Sequence, residues 1–160
     1  MRIEELLDAS AIFLPFDAKN KEEALKKLAK RFTELHKDIS YRSLLHGLRK
    51  REELGSTGIG GGVAIPHAKS EHLEKSTGLL AISKTGVEFK TLDGNPVHIF
   101  FMMVYPENPV GEHLKTLAKV AKLLRDKFVR DSLLRADSSD RVIEILLAEE
   151  TRNEVFCEKA

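Results

Sequence analysis

The sequence is poor in two residue types, cysteine and tryptophan. Its 160 residues include one cysteine, Cys157, and no tryptophan. One cysteine cannot form a disulfide within the chain, so the fold must be held by its hydrophobic core. A charged start, Met1 to Glu5, stands where a secretory signal would be apolar. These features predict a cytoplasmic protein.

An excess of charge of either sign and a long apolar run are also missing. Lys and Arg number 26 against 25 for Asp and Glu, so no global field favours nucleic acid or an anionic membrane. The longest apolar stretch, Ile99 to Tyr105, is far too short to cross a bilayer. We therefore expect no nucleic-acid partner and no membrane insertion, and partners must be recognised locally.

Several catalytic motifs are absent as well. The glycine-rich stretch from Gly55 to Gly62 lacks the third glycine of a dinucleotide-binding loop, and no Lys stands where a P-loop needs one. There is no G-x-S-x-G serine elbow, no H-E-x-x-H and no C-x-x-C. Nucleotide-binding, serine-hydrolase and zinc classes therefore become improbable.

The elements that are present predict one layered α/β domain spanning residues 1–160, with a mixed sheet flanked by helices on both faces. Apolar periodicity predicts a helix over Lys21–Leu35 capped by Asn20, and a second from Ser40 to near Gly55. A third helix is predicted after Pro106 and Pro109, with an apolar face that includes Leu114. Two more are predicted over 128–134 and 139–148. Short β-rich segments predict strands at 63–65, 78–83 and 97–105.

The glycine-rich loop and Pro66 together suggest how a reactive histidine could be presented. Glycines let the main chain approach another group closely, and Pro66 restricts Ile65 to extended conformations. His67 would then be held stiffly behind the loop. We expect His67 to be reachable from a shallow, partly apolar depression that includes the glycine loop and the helix starting near His113.

His113 and Arg51 are the other candidates. His113 falls in the first turn of a helix, where amide donors are exposed and a phosphate can bind; the helix dipole there favours a neutral imidazole. Arg51 stands in the last turn of a helix, where an exposed cation is ordinarily structural. The remaining histidines (His36, His46, His72 and His98) are expected to be surface or structural residues.

Two ordered motifs then carry a family resemblance. The first runs from Arg51-Glu52 through Ser56-Thr57-Gly58-Ile59-Gly60 to Val63-Ala64-Ile65-Pro66-His67; the second comprises Leu92-Asp93-Gly94-Asn95-Pro96-Val97, Phe100, Pro106 and His113-Leu114. Together they resemble the enzyme IIA domain of the fructose/mannitol class of the bacterial phosphoenolpyruvate-dependent sugar phosphotransferase system. The resemblance extends over nearly the whole chain.

The resemblance implies a phosphocarrier that needs no cofactor or metal. His67 would accept a phosphoryl group from phosphorylated HPr and pass it to a cysteine of an enzyme IIB domain, which serves sugar uptake through the membrane transporter enzyme IIC. His113 matches a histidine that hydrogen-bonds a phosphoryl oxygen, and Arg51 matches an arginine that neutralises phosphate charge.

Two other functions stay open. A regulatory relative resembling the nitrogen-related enzyme IIA would use the same phosphorylation to control partner proteins. A metal-dependent enzyme using His67, His72, Glu71 and His113 is a more remote alternative, since nothing in their spacing favours a metal site.

Overall fold

A computed structural model describes residues 1–107 and 111–159, and the backbone alone over 156–159. Pro109 and the side chain of Cys157 lie outside the described residues. The helices are α1 (Ile3–Leu6), α2 (Lys21–Leu35), α3 (Tyr41–Glu53), α4 (Glu112–Arg125), α5 (Lys127–Arg135) and α6 (Ser139–Lys159), with a short 3-10 helix at Ala9–Ala11. The strands are β1 (Ile12–Phe13), β2 (Gly58–Gly60), β3 (Val63–Ala64), β4 (His67–Lys69), β5 (Thr77–Val87) and β6 (Val97–Tyr105).

The strands of the described chain form one mixed sheet. Its order is β1-β5-β6-β3-β2, and β4 also pairs with β6. The pairs β5–β6 and β2–β3 are antiparallel, whereas β1–β5, β3–β6 and β4–β6 are parallel. Because helices flank this sheet, the predicted α/β class with a mixed sheet is confirmed.

The two helices that precede the site begin at the predicted caps. The Asn20 side chain accepts a hydrogen bond from the Glu23 amide at 2.9 Å, and the Ser40 hydroxyl accepts one from the Ser43 amide at 3.3 Å. Each bond satisfies an amide that has no partner within its helix. Helix α3 matters for the site because its last turn, at the opposite end from this cap, carries Arg51 to His67.

The core lies between the two long central strands and the helices packed on them. Strand β6 is buried along almost its whole length, from Val97 to Tyr105. Helices α1, α2 and α5 contact β5, while α4 contacts β6 and α3 contacts β4. Strand β6 is therefore the rigid element on which the neighbouring short strands are ordered.

Two sequence-based expectations were wrong in detail. Leu114 was assigned to the apolar face of α4, but 61% of its surface is exposed and the buried residues of this helix are Thr116, Val120, Leu123 and Leu124. The glycine-rich segment was predicted to be a loop, but Gly58–Gly60 forms β2, which pairs with β3. Strands of two or three residues show no recognisable period, so β1, β2 and β4 escaped prediction.

Searching the described helices for a membrane span yields no candidate that is both long and apolar enough.

Candidate functional site

His67 is the first residue of β4 and is placed by a break in the strand that carries it. Strand β3 pairs with Ile99 and Phe100 of β6, and β4 resumes pairing at Met103. Between them, the Pro66 carbonyl accepts the Met103 amide at 2.9 Å, while Pro66 itself has no amide to donate. The chain thus stays on β6 but is offset at Pro66, and His67 follows the offset.

Both nitrogens of the His67 ring have partners, and these partners define its tautomer. Nδ1 lies 2.8 Å from the carbonyl oxygen of Ile65, which can only accept, so Nδ1 carries the hydrogen. Nε2 lies 3.2 Å from Nε of Arg51, which can only donate, so Nε2 presents its lone pair. The lone pair of the neutral imidazole is therefore on Nε2, directed at the guanidinium group.

The surroundings of His67 favour the neutral ring. Burial lowers the pKa of His67, and the charges of Arg51 and His113 lower it further, against the opposing effects of the Ile65 carbonyl and Glu52. A lowered pKa keeps the Nε2 lone pair free of a proton near neutral pH. An imidazole nitrogen that carries no proton can act as a nucleophile.

Arg51 stands in the last turn of α3 and is held from the far side of its guanidinium. Its Nη1 donates to the carbonyl oxygen of Gly55 at 3.0 Å, just beyond the helix end. Nη1 is engaged by Gly55, so the other edge of the guanidinium, with Nε on His67 and Nη2 beside it, forms a fork of two donors. Such a fork matches two oxygens of a phosphate group.

His113 reaches the site through Tyr105, the last residue of β6. The Tyr105 and His113 rings are stacked, with centroids 4.0 Å apart and an angle of 2° between their planes. The Tyr105 ring also lies 6.3 Å from the His67 ring, centroid to centroid. The structure thus gathers all three predicted site residues, Arg51, His67 and His113, around Tyr105, a residue that the sequence analysis did not identify.

A second group missed from the sequence secures the end of α3. The Glu52 side chain, 5% exposed, accepts from Lys21 Nζ at 2.9 Å and from the Thr57 amide at 3.2 Å. It also bonds the Thr57 hydroxyl. The Thr57 carbonyl in turn accepts the Ile65 amide at 3.0 Å. Glu52 therefore ties α2 and α3 to the segment that leads into His67; the only signal in the sequence was its place beside Arg51.

A cavity of about 580 Å³ opens beside His67. Its walls come from the end of α3, from β4 and from Tyr105, with Lys50, Arg51 and Lys69 supplying positive charge and Leu54 an apolar surface that is 84% exposed. The expected depression beside His67 is present, but its lining was predicted wrongly. Among the described residues, it is lined by α3, β4 and Tyr105, and neither by the glycine loop nor by the helix that begins near His113.

The glycine run lies at the other end of β6. Gly60, Gly61 and Gly62 have φ angles of 91°, 65° and 78°, which only glycine adopts readily, and they form the turn between β2 and β3. The Gly62 carbonyl accepts the His98 amide at 2.8 Å. His98 is five residues before Met103, the partner of His67, so the run serves the hairpin and does not present His67.

The residues named for a metal-dependent enzyme do not form a metal site. Over the residues that the structure describes, no group of three or more His, Cys, Asp or Glu side chains could hold a metal ion. Glu71 and His72 lie exposed in the loop after β4 and contact each other, 3.7 Å apart. This alternative therefore has no support from the geometry.

Comparisons with known proteins identify relatives of this chain. Residues 5–149 match the family model described as phosphoenolpyruvate-dependent sugar phosphotransferase system, EIIA 2. The chain is 36% identical to a nitrogen regulatory protein of Bradyrhizobium diazoefficiens, over 91% of this chain and 95% of the relative. It is 34% identical to the fructose-specific EIIABC component of Bacillus subtilis, over 91% of this chain but only 23% of that longer protein.

Solved structures show the same fold. The nitrogen regulatory protein IIA-Ntr of Neisseria meningitidis is 35% identical and superposes with a TM-score of 0.83, covering 90% of this chain and 98% of the other. Enzyme IIA of mannitol from Escherichia coli, solved in complex with phosphorylated enzyme IIB, has a TM-score of 0.76 at 23% identity, covering 89% and 97%.

Proposed function

The chain belongs to the EIIA 2 family of the phosphoenolpyruvate-dependent sugar phosphotransferase system, and we propose that His67 is its phosphorylated residue. Domains of this family are phosphotransferases. The matched region, residues 5–149, supports treating residues 1–160 as one such domain. We place its reaction in the cytoplasm.

The observation that carries this proposal is the pair of hydrogen bonds on the His67 ring. Because Nδ1 bonds the Ile65 carbonyl, the lone pair on Nε2 is the nucleophile. A bond forms between Nε2 and phosphorus as the bond from phosphorus to the donor nitrogen breaks. After transfer, Nδ1 keeps its proton, because without it the Nδ1 lone pair would point at the Ile65 carbonyl oxygen. With phosphorus on Nε2 and a proton on Nδ1, the phosphorylated ring is cationic. A cationic ring is a good leaving group for the next transfer.

Arg51 and His113 stabilise the group in transit. The Arg51 fork leaves Nε2 and binds phosphoryl oxygens, which replaces a bond to a neutral nitrogen with bonds to charged oxygens. His113 donates a hydrogen bond to another phosphoryl oxygen. Catalysis consists of positioning and charge stabilisation, as is usual for phosphoryl transfer.

The donor in this proposal is the phosphohistidine of HPr, and the acceptor is a cysteine of an enzyme IIB domain. The mannitol enzyme IIA of similar fold was solved in complex with phosphorylated enzyme IIB. In that step a sulfur–phosphorus bond forms while the bond from Nε2 to phosphorus breaks. Transfer to IIB would serve uptake of a fructose- or mannitol-type sugar through the membrane transporter.

A second candidate is supported by the relatives themselves. Two of the similar proteins, at 36% and 35% identity, are named nitrogen regulatory proteins. In this role the same phosphorylation of His67 would control partner proteins without feeding a transporter. The site chemistry is common to both candidates, so the acceptor separates them.

The test has two stages. The protein is incubated with phosphoenolpyruvate, enzyme I and HPr, and the label is mapped by mass spectrometry; we expect one acid-labile, alkali-stable phosphate on His67. His72→Ala, which changes an exposed histidine, is the matched control and should label normally. Label that persists in His67→Ala would refute the assignment. Chase onto a fructose- or mannitol-type enzyme IIB then supports the uptake role if label moves at a catalytic rate, and the regulatory role if it does not.

A further inference from the structure

Tyr105 lies beside the proposed phosphorylation site and has no part in the bond making and breaking of the proposed reaction. It lines the cavity beside His67 and is 8% exposed. Its backbone is fixed, because its carbonyl accepts the Ser70 amide at 2.9 Å and it pairs with Lys69 of β4. Tyr105 is therefore a rigid element at the boundary between the sheet and the start of α4.

Among the residues that the structure describes, no side chain caps the start of α4. Its N-cap residue is Gly111, with φ of 91° and no side chain to cap the exposed amides. His113 is the second residue of the helix, so its imidazole sits on the end least secured by local hydrogen bonds. A contact that fixes the plane of this ring would let it meet a phosphoryl group in one geometry.

The stack with Tyr105 supplies that contact. With planes 2° apart and centroids 4.0 Å apart, the two rings lie face to face. Stacking uses the face of the imidazole and neither of its nitrogens, which lie on the ring edge. The same Tyr105 ring lies 6.3 Å from His67, so the plane it imposes on His113 is defined relative to the nucleophile.

We propose that Tyr105 is a positioning residue, which holds the His113 imidazole in the plane from which it donates to a phosphoryl group on His67. This inference rests on the proposed function. It assigns the effect to the aromatic ring of Tyr105 and not to its hydroxyl. Loss of such a stack should slow a phosphoryl-transfer step that depends on it by roughly threefold to tenfold.

The experiment combines kinetics with an independent measurement of the stack. The variants are Tyr105→Phe, Tyr105→Leu, His113→Ala and the double variant Tyr105→Leu/His113→Ala. Phosphorylation by labelled HPr is followed by rapid quench, and the His113 ring-proton shifts are read by NMR in the unphosphorylated protein. Tyr105→Val, which places a β-branched residue with high strand propensity at this position, replaces Tyr105→Leu if the latter fails to fold.

We expect Tyr105→Phe to keep both the wild-type rate and the ring-current shift of His113. Tyr105→Leu should move that shift toward the value of an unstacked histidine and slow transfer roughly threefold to tenfold. In the His113→Ala background the same change should have no further effect, since a residue acting through His113 loses its influence when His113 is gone.

Two results would overturn the role of Tyr105 alone. One is a wild-type rate for Tyr105→Leu when the His113 shift has changed; the other is equal slowing by Tyr105→Leu with and without His113. By contrast, a wild-type protein that accepts no label from HPr would overturn the proposed function itself, and the role of Tyr105 with it, even where NMR shows the stack.

Discussion

Replacing Arg51 tests the link between the geometry of the site and its rate. Arg51 is the one predicted site residue that contacts the His67 nitrogen directly, through Nε at 3.2 Å, while Nη1 is held by the Gly55 carbonyl at 3.0 Å. Arg51→Ala removes the fork and leaves the nucleophile. Arg51→Lys restores the charge but not the planar pair of donors.

The expected magnitude follows from the bonds exchanged in the reaction. A hydrogen bond to a charged group contributes about 1.5 to 3 kcal/mol, so two fork bonds to phosphoryl oxygens contribute about 3 kcal/mol at the lower limit. The bond to the neutral Nε2, worth about 1 kcal/mol, must first be broken. The net stabilisation of about 2 kcal/mol predicts that Arg51→Ala slows transfer roughly 30-fold. Arg51→Lys should recover about half of that free energy and be slower by roughly fivefold.

The assay is rapid-quench phosphorylation of the protein by labelled HPr under single-turnover conditions. Arg49→Ala is the matched control, because Arg49 lies on the same helix and pairs with Glu22 on the surface, away from the cavity. The control should keep the wild-type rate. His67 should still be the labelled residue in every Arg51 variant, since the nucleophile is unchanged.

Wild-type transfer by Arg51→Ala, or complete recovery by Arg51→Lys, would show that the fork does not act on the phosphoryl group. Equal slowing by Arg49→Ala would assign the effect to a disturbed helix α3. Either pattern would contradict the reasoning from the geometry of Arg51.

Three further predictions follow from the same site. His113→Ala should still accept label, but at least one transfer step should be roughly tenfold to a hundredfold slower because one hydrogen bond to a charged group is lost. Rapid-quench rates of acceptance and of donation measure this effect. Unchanged rates would assign His113 a structural role. Burial lowers the pKa of His67, so the unfolded chain binds the proton more readily and the free energy of unfolding should fall as pH drops through about 6.5. In urea unfolding between pH 7 and 5.5, the wild type should therefore lose stability relative to His67→Gln. Parallel pH dependences of the two proteins would contradict this prediction. Glu52→Ala should lower the free energy of unfolding by about 2 to 4 kcal/mol, because the Lys21 ammonium and the Thr57 amide lose a buried partner; a loss below about 0.5 kcal/mol in urea unfolding would contradict this network.

Local sequence signals were sufficient for the long elements. Helices α2 and α3 begin at Asn20 and Ser40 because side-chain caps and apolar spacing act over a few residues, within the reach of a sequence pattern. Strands β5 and β6 were recognisable for the same reason, being long and bounded by turn residues. The mixed α/β class follows from their order along the chain.

The candidate site was predictable only where motifs named its residues. His67, His113 and Arg51 were identified from their local setting and from the family resemblance, and the structure brings them together. The role first given to the glycine run was wrong, because which end of β6 a short strand meets depends on register. Register is a property of the paired strands, not of either segment alone.

Tertiary structure alone decided how the site is organised. The sequence determined which residue types stand at 51, 67 and 113, but not that Nε2 of His67 faces Arg51 while Nδ1 faces the Ile65 carbonyl. Neither the stack of Tyr105 on His113 nor the link from Lys21 through Glu52 to Thr57 has a local pattern. The stack and this link join residues that are 5 to 31 positions apart, and the packing of helices on the sheet brings such residues within bonding distance.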